Sequence, residues 1–300
     1  MTKKNRNWLL ALSILAFPFV LFFGFLIFMA EPLPPVAPLP NLNGYDDLVR
    51  AGQMLPDEAG DYDKMDQEQL KKAVALNVAA LSLARAGLSN QCRVPVQYSE
   101  SFISNHLGDL AGLKRLARAF VAEGMLAEME NRPGDAARSD LDTVHFGNDT
   151  ARGGVMIDDL VGIAIEAIGT SHLQTLLPHL DATSCRETAA TLEALDSQRQ
   201  TWNEVMQQEN AWSHGTFRGW RYELMRLEDR KSSLPAIAAT RRKLDAQEQR
   251  TRRLMLDLAA RAYELDKGRP PASAADLVPE YLKAVPQDPV TGTNMVYSPR

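Results

Sequence analysis

The chain contains little cysteine. Cys92 and Cys185 are the two cysteines in 300 residues, and they form no C-x-x-C motif. This number is too small for a disulfide-stapled scaffold or a four-cysteine zinc site. Hydrophobic residues make up 45% and charged residues 24% of the chain, and both values are typical of globular proteins. The composition therefore predicts a folded protein stabilised mainly by apolar burial.

Common catalytic signatures are also missing. The sequence has no G-x-x-x-x-G-K-[ST], G-x-S-x-G, H-E-x-x-H or E-x-x-H motif, so a phosphate-binding loop, a nucleophile elbow, a zinc helix and a bundle di-iron site are not indicated. The five histidines are scattered. We therefore predict no enzyme activity, no metal site and no cofactor. An unrecognised hydrolase stays open only if the fold brings Asp158, and His172 or His179, within reach of a hydroxyl group.

An excess of basic residues is absent as well. The net charge is -5, and the only charges in the first thirty residues are those of Lys3, Lys4 and Arg6. The remaining residues carry 30 basic and 38 acidic side chains. This balance argues against nucleic acid as a partner.

Residues 8–30 lack any charged side chain. At a rise of about 1.5 Å per residue, a helix of this length would cross a hydrocarbon layer of about 30 Å. The basic residues before this segment and Glu31 after it favour a cytoplasmic N-terminus. We therefore predict a cytoplasmic tail over residues 1–7, a single transmembrane helix over 8–30 in the plasma (inner) membrane, and an extracytoplasmic remainder.

A proline-rich stretch follows the predicted membrane helix. Residues 31–40 contain five prolines, which favour an extended polyproline conformation. The sequence therefore predicts a stalk over residues 31–45, a helical domain over 46–235, and a long helix with a C-terminal segment over 236–300.

Helical periodicity dominates the rest of the chain. Apolar residues recur at intervals of three and four over 70–81, 110–124, 137–144 and 192–206, which indicates amphipathic helices. In the last helix, predicted over 236–267, Thr240 and Gln247 occupy one seam of the seven-residue pattern, which argues against a sustained coiled coil. The predicted fold class is mainly α, as an extracytoplasmic array of helices.

The region 202–226 holds three of the four tryptophans, interleaved with arginines. Aromatic rings beside guanidinium groups are suited to stacking on a peptide or glycan. The alternative is that the rings fill the core while the arginines extend to solvent. The candidate ligand-binding residues are Trp212, Phe217, Arg218, Trp220, Arg221 and Tyr222.

The two cysteines leave two alternatives open. An extracytoplasmic location permits a disulfide between Cys92 and Cys185, which would close a long loop. Two unpaired buried thiols fit the sequence equally well.

The C-terminal stretch combines several turn signals with a short apolar end. A helix ends at Asp266-Lys267-Gly268-Arg269-Pro270, then Tyr281-Leu282 precedes the turn Pro286-Gln287-Asp288-Pro289 and a predicted strand over 295–297. This order over residues 254–297 resembles the head segment of type II secretion major pseudopilins. The chain lacks the glycine and glutamate of a prepilin-peptidase site before its apolar segment. The resemblance implies a short α/β appendage that serves packing or assembly, as in uncharacterised single-pass bacterial membrane proteins.

Together these features predict a membrane-anchored scaffold or protein-interaction protein of the bacterial envelope. Its expected partners are the lipid bilayer, through residues 8–30, and an envelope protein. A module that binds peptide or glycan through 202–226 is the main alternative function.

Overall fold

The computed structural model describes residues 17–25, 37–56, 61–217 and 220–297. Within these ranges, the side chains of 220–233 are not described. The described residues form an array of helices joined by short connections. The helices are α1 (residues 17–25), α2 (Gly44–Gln53), α3 (Gln67–Leu88), α4 (Phe102–Met129), α5 (Pro133–Ala151), α6 (Met156–Leu176), α7 (Ala182–Ser197), α8 (Trp202–Phe217) and α9 (Trp220–Lys267).

Local sequence signals account for several helix boundaries. The Asp66 side chain accepts the Gln69 backbone N–H, and the Gln69 side chain accepts the Asp66 N–H, which forms a capping box at the start of α3. Asp181 caps α7 by accepting the Ser184 N–H. The α3 helix contains the apolar pattern predicted over 70–81, whereas the pattern over 192–206 is divided between α7 and α8.

The predicted α/β appendage at the C-terminus is wrong. The described residues contain no strand, and the C-terminal segment has only an isolated antiparallel bridge between Gln287 and Asn294. Two arginines of α9 take the carbonyls that a second strand would need, because Arg252 donates to Gln287 O at 2.8 Å and Arg253 donates to Val296 O at 2.7 Å. The segment therefore lies on a helix instead of forming a sheet.

The fold prediction also placed the apolar helix at the N-terminus, and the described residues correct this. Among them, one helix is long and apolar enough to cross a membrane by length and composition. It is Met156–His179 in the middle of the chain, which is α6 with the short 3-10 helix that follows it. Residues 8–16 and 26–30 of the predicted N-terminal span lie outside the described residues. Residues 17–25 are helical, and their large apolar side chains are exposed.

Two apolar clusters hold the helices together. The first joins α2, α3 and α4 with Val94, Val96 and Ile165 of α6. The second joins α7, α9 and the C-terminal segment. It therefore includes residues on both sides of residue 236, where the sequence predicted the C-terminal unit to begin. Helix α6 contributes to both clusters through Ile165 and Leu173, so it acts as a core helix of the array.

Glycines allow two helix crossings to be very close. A Cβ atom at Gly147 of α5 would lie 2.7 Å from the Gly162 carbonyl oxygen of α6. A Cβ at Gly52 of α2 would lie 2.8 Å from the Gly112 backbone of α4. These distances are shorter than van der Waals contact, so each crossing requires the absence of a side chain.

Candidate functional site

A polar groove opens where the chain enters the helical domain. It consists of two adjacent cavities of about 700 Å³ and 580 Å³, both lined by Arg93, Arg152 and Gln198. The first cavity continues to Pro38–Pro40, at the end of the predicted stalk, and the second continues along α8 to Ala211. We call this feature the Arg93 groove.

Hydrogen bonds with residues at the ends of two helices fix the main chain of the segment that carries Arg93. The Asn43 amide donates to Arg93 O at 2.8 Å, and its carbonyl accepts the Arg93 N–H at 2.9 Å. The next residue, Val94, donates to Arg152 O at 3.0 Å. The main chain at Arg93 is therefore held between the start of α2 and the end of α5.

Gly153 makes room for the Arg93 side chain. Its φ is +70°, and a Cβ there would lie 2.9 to 3.0 Å from the Arg93 side-chain atoms. Only glycine combines this backbone conformation with so close an approach. The Arg93 guanidinium consequently lies against bare backbone at the junction of the two cavities.

Arg93 differs from the neighbouring arginines in its charge balance. Arg152 pairs with Asp149 at 3.1 Å, and Arg199 pairs with the buried Glu166 at 2.5 Å. Within the described ranges, the Arg93 guanidinium has no ion pair and no hydrogen bond. Among the described groove residues, Arg93 is therefore the arginine without a directly paired carboxylate, and Glu204 lines the same cavity.

Side-chain amides line the rest of the groove. The Gln200 carbonyl accepts the Gly153 N–H at 2.6 Å, and its amide nitrogen is buried without a hydrogen-bond partner among the described residues. A buried donor without an acceptor destabilises the free protein. The carboxamides that line the groove are those of Asn90, Gln91, Gln198, Gln200, Gln207 and Gln208.

A buried ionic network supports the wall of the groove. The Glu166 carboxylate accepts from both Arg199 nitrogens, at 2.8 and 2.5 Å, and from Thr251 Oγ1 at 2.6 Å. Because Glu166, Arg199 and Thr251 belong to α6, to the α7–α8 connection and to α9, the network fixes three parts of the chain. This arrangement positions residues 198–200 beside Arg93.

The candidate residues of the Trp/Arg-rich region are only partly described. Trp212 donates its indole N–H to Gln97 O at 3.2 Å, and its ring packs near Phe102 and Phe217 at centroid distances of 6.5 and 6.1 Å. Both Trp212 and Phe217 thus contact other protein groups. Arg218 lies outside the described residues, as do the side chains of Trp220, Arg221 and Tyr222.

The two cysteines are free and lie in different clusters. Cys92 lines the groove and belongs to the first apolar cluster, whereas Cys185 belongs to the second. Burial and the nearby Asp149 carboxylate raise the pKa of the Cys92 thiol, and burial raises the pKa of Cys185 to about 11. Both thiols are therefore protonated and poorly nucleophilic near neutral pH.

The residues of the hydrolase alternative do not converge. His106 Nε2 lies 2.6 Å from Asp158, and His172 Nδ1 lies 2.7 Å from Asp140. Asp158 and His172 belong to the same helix and are separated by about 21 Å of helical rise. His179 is exposed. In the described part of the chain, no group of three His, Cys, Asp or Glu residues could hold a metal ion.

Sequence reasoning missed Arg93, Gln200 and the other groove residues. They come from four separated parts of the chain, and the stretch around Arg93 has neither helical period nor a motif. Gly153-Gly154 beside Arg152 was the one local signal of an unusual backbone.

No family model, characterised protein or solved structure matches the chain. The resemblance of residues 254–297 to pseudopilin heads therefore stays a prediction.

Proposed function

We propose that this chain is a membrane-anchored interaction protein of the bacterial envelope that binds a partner protein in the Arg93 groove. The observation that carries the proposal is the Arg93 guanidinium, which pairs with no carboxylate among the described residues, in a preformed groove lined by carboxamides. Preformed concave surfaces with a few convergent polar groups are typical binding sites.

The proposed contact with the lipid bilayer lies within residues 8–30, with the N-terminus in the cytoplasm and the helical domain outside. The uncharged run and the exposed apolar side chains of residues 17–25 support contact with the lipid bilayer. Helix α6 is less suited to this role, because its Asp158 and Glu166 are bound inside the protein. If α6 entered lipid, these two side chains would lose their partners, and an unpaired ionised side chain in hydrocarbon is costly.

The groove would then lie close to the membrane. Pro38 is eight positions beyond Ala30, and an extended chain of that length spans about 29 Å at most. We therefore propose that the partner is itself a membrane protein or a protein held near the membrane surface.

Photo-crosslinking in living cells tests this function. A photoreactive amino acid at Gln207, which is exposed and lines the groove, should give an adduct of defined mass. The matched control is Lys72 on α3, which is also exposed but lies outside the groove residues. Equal adduct patterns from both positions, or no adduct from position 207, would contradict the proposal.

A further inference from the structure

We propose that the Arg93 groove binds an extended peptide segment through a carboxylate group, with Arg93 as the counter-charge and the groove carboxamides on the peptide main chain. This inference rests on the proposed function and names the chemical class of its ligand. It depends on the charge balance of the groove, on the exposed carboxamides that line it and on the aromatic residues beside it.

The charge of Arg93 is available to a ligand. Its main chain is fixed by Asn43, its side chain is half-buried, and it lies where the two cavities meet. A guanidinium group matches a carboxylate with two parallel hydrogen bonds. Because the side chain is already restrained against Gly153, binding would order little that is mobile in the free protein.

A carboxylate fits this groove better than a phosphate does. Asp149 and Glu204 also line the groove, and their negative charges would repel a dianion. Arg152 is paired with Asp149, which leaves Arg93 as the counter-charge for a ligand with a single negative charge.

The carboxamides fit a peptide main chain. Each amide side chain carries a donor and an acceptor, the same pair that a peptide unit offers. The exposed Gln198 and Gln207 side chains line the groove and can offer this pair to a ligand, whereas the Gln200 carbonyl is occupied by the Gly153 N–H and its nitrogen is buried. Gln207 and Gln208 extend this polar surface along α8.

The aromatic residues argue for peptide over glycan. Stacking on a sugar needs an open ring face, and the Trp212 ring packs against Phe102 and Phe217 within the protein. None of the described residues that line the two cavities is a tryptophan, tyrosine or phenylalanine. Recognition by charge and amide hydrogen bonds suits a peptide.

The experiment uses the full-length chain in nanodiscs and pools of fluorescent eight-residue peptides with randomised neutral residues. The first pool has one central glutamate and an amidated C-terminus, the second has glutamine in place of the glutamate, and the third has no acidic side chain but a free C-terminal carboxylate. A neutral glucose hexasaccharide is the glycan probe.

We expect at least tenfold tighter binding of one carboxylate-bearing pool than of the glutamine pool. The first pool would identify an acidic side chain as the ligand group, and the third would identify a chain terminus. Equal binding of all three pools, or binding of the hexasaccharide in their place, would overturn the inference. This comparison uses the unmutated protein, so it does not depend on the folding of a variant.

Variants then locate the site. Arg93→Ala should abolish the preference for the carboxylate, Arg93→Lys should retain part of it, and Gln198→Leu, at an exposed position that lines both cavities, should weaken binding of all pools severalfold. Arg269→Ala is the matched control, because Arg269 is exposed beyond the end of α9. An unchanged preference in folded Arg93→Ala protein would also overturn the inference.

Failure of the ligand class and failure of the proposed function are distinguishable. If the peptide pools fail while position 207 still gives a specific adduct in cells, only the ligand class is wrong. If position 207 gives no adduct, the proposed function is wrong as well.

Discussion

At the scale of single residues, buried charges decide the local stability of this protein. Glu166 is 1% exposed and accepts two hydrogen bonds from Arg199. Asp140 is fully buried, with one oxygen on His172 and the other without a partner among the described residues. Removing a partner from such a group leaves an uncompensated charge in a medium of low dielectric constant.

We predict that Glu166→Gln lowers the free energy of unfolding by about 3–5 kcal/mol, because the buried Arg199 would lose its two-point counter-charge and keep only the longer contact with Asp196 at 3.4 Å. The matched control is Glu264→Gln, since Glu264 pairs with Arg261 at 3.2 Å on the surface and is 48% exposed. That change should cost about 0–1 kcal/mol. Urea unfolding followed by circular dichroism measures both. Similar losses in the two variants would show that the Glu166 network contributes little.

The buried Asp140 carboxyl group should make the free energy of unfolding depend on pH. Burial raises its pKa to about 6, although the hydrogen bond and charge of His172 oppose this. Because the folded pKa is above the unfolded value, Asp140 contributes stability at low pH that is lost as the pH rises through about 6. The unfolding free energy of the wild type should therefore fall relative to Asp140→Asn between pH 4 and 7, by up to about 3 kcal/mol. Parallel pH profiles for the two proteins would contradict this prediction.

At the scale of helices, part of the structure follows from sequence pattern. The period of α3 and its Asp66 cap were readable because both signals are local. The strand at 295–297 was wrong, since a strand also needs a neighbour, and the arginines of α9 occupy that place. Pairing between distant segments is not encoded in a local period.

The polar seam of α9 shows the same limit. In the sequence of α9, Thr240 and Gln247 interrupt the apolar pattern, which argued against a sustained coiled coil, and Gln247 and Thr251 are both buried. Their burial follows from α6, because Gln247 donates to Thr170 at 3.1 Å and Thr251 donates to Glu166. The sequence of α9 alone cannot name these partners.

Helix crossings give a further prediction. Gly147→Ala should lower stability by about 1–3 kcal/mol, because the added methyl group would collide with the Gly162 carbonyl of α6. Gly108→Ala is the matched control in α4, where a Cβ would meet no atom within 4 Å. That change should raise stability by about 0.5–1 kcal/mol through helix propensity. Thermal unfolding of both variants checks the contrast, and a stable Gly147→Ala protein would contradict the close crossing.

At the scale of the whole molecule, the proposed function combines a membrane-contacting segment, a stalk and a groove. Composition could predict the uncharged segment 8–30 and the proline-rich stretch, because each is contiguous. The Arg93 groove could not be predicted in this way, since its walls come from residues 38–40, 88–93, 145–153 and 198–211. The Trp/Arg-rich region was selected for its composition, which does not reveal that the partly buried Trp212 ring packs near Phe102 of α4.

Topology is tested by thiol labelling in intact spheroplasts. Lys72→Cys introduces an exposed thiol, whereas Cys92 and Cys185 are buried. A membrane-impermeant maleimide should label Lys72→Cys without lysis, and should label Lys3→Cys only after lysis. The reverse pattern would place the helical domain in the cytoplasm.

The central claim is that the Arg93 groove binds a partner in the cell. Its most direct test is photo-crosslinking from position 207 in cells that carry Arg93→Glu or, as a matched charge reversal elsewhere, Arg269→Glu. The account predicts that the adduct disappears in Arg93→Glu and remains in Arg269→Glu, with both proteins present at wild-type levels. An adduct that survives Arg93→Glu unchanged would contradict the claim.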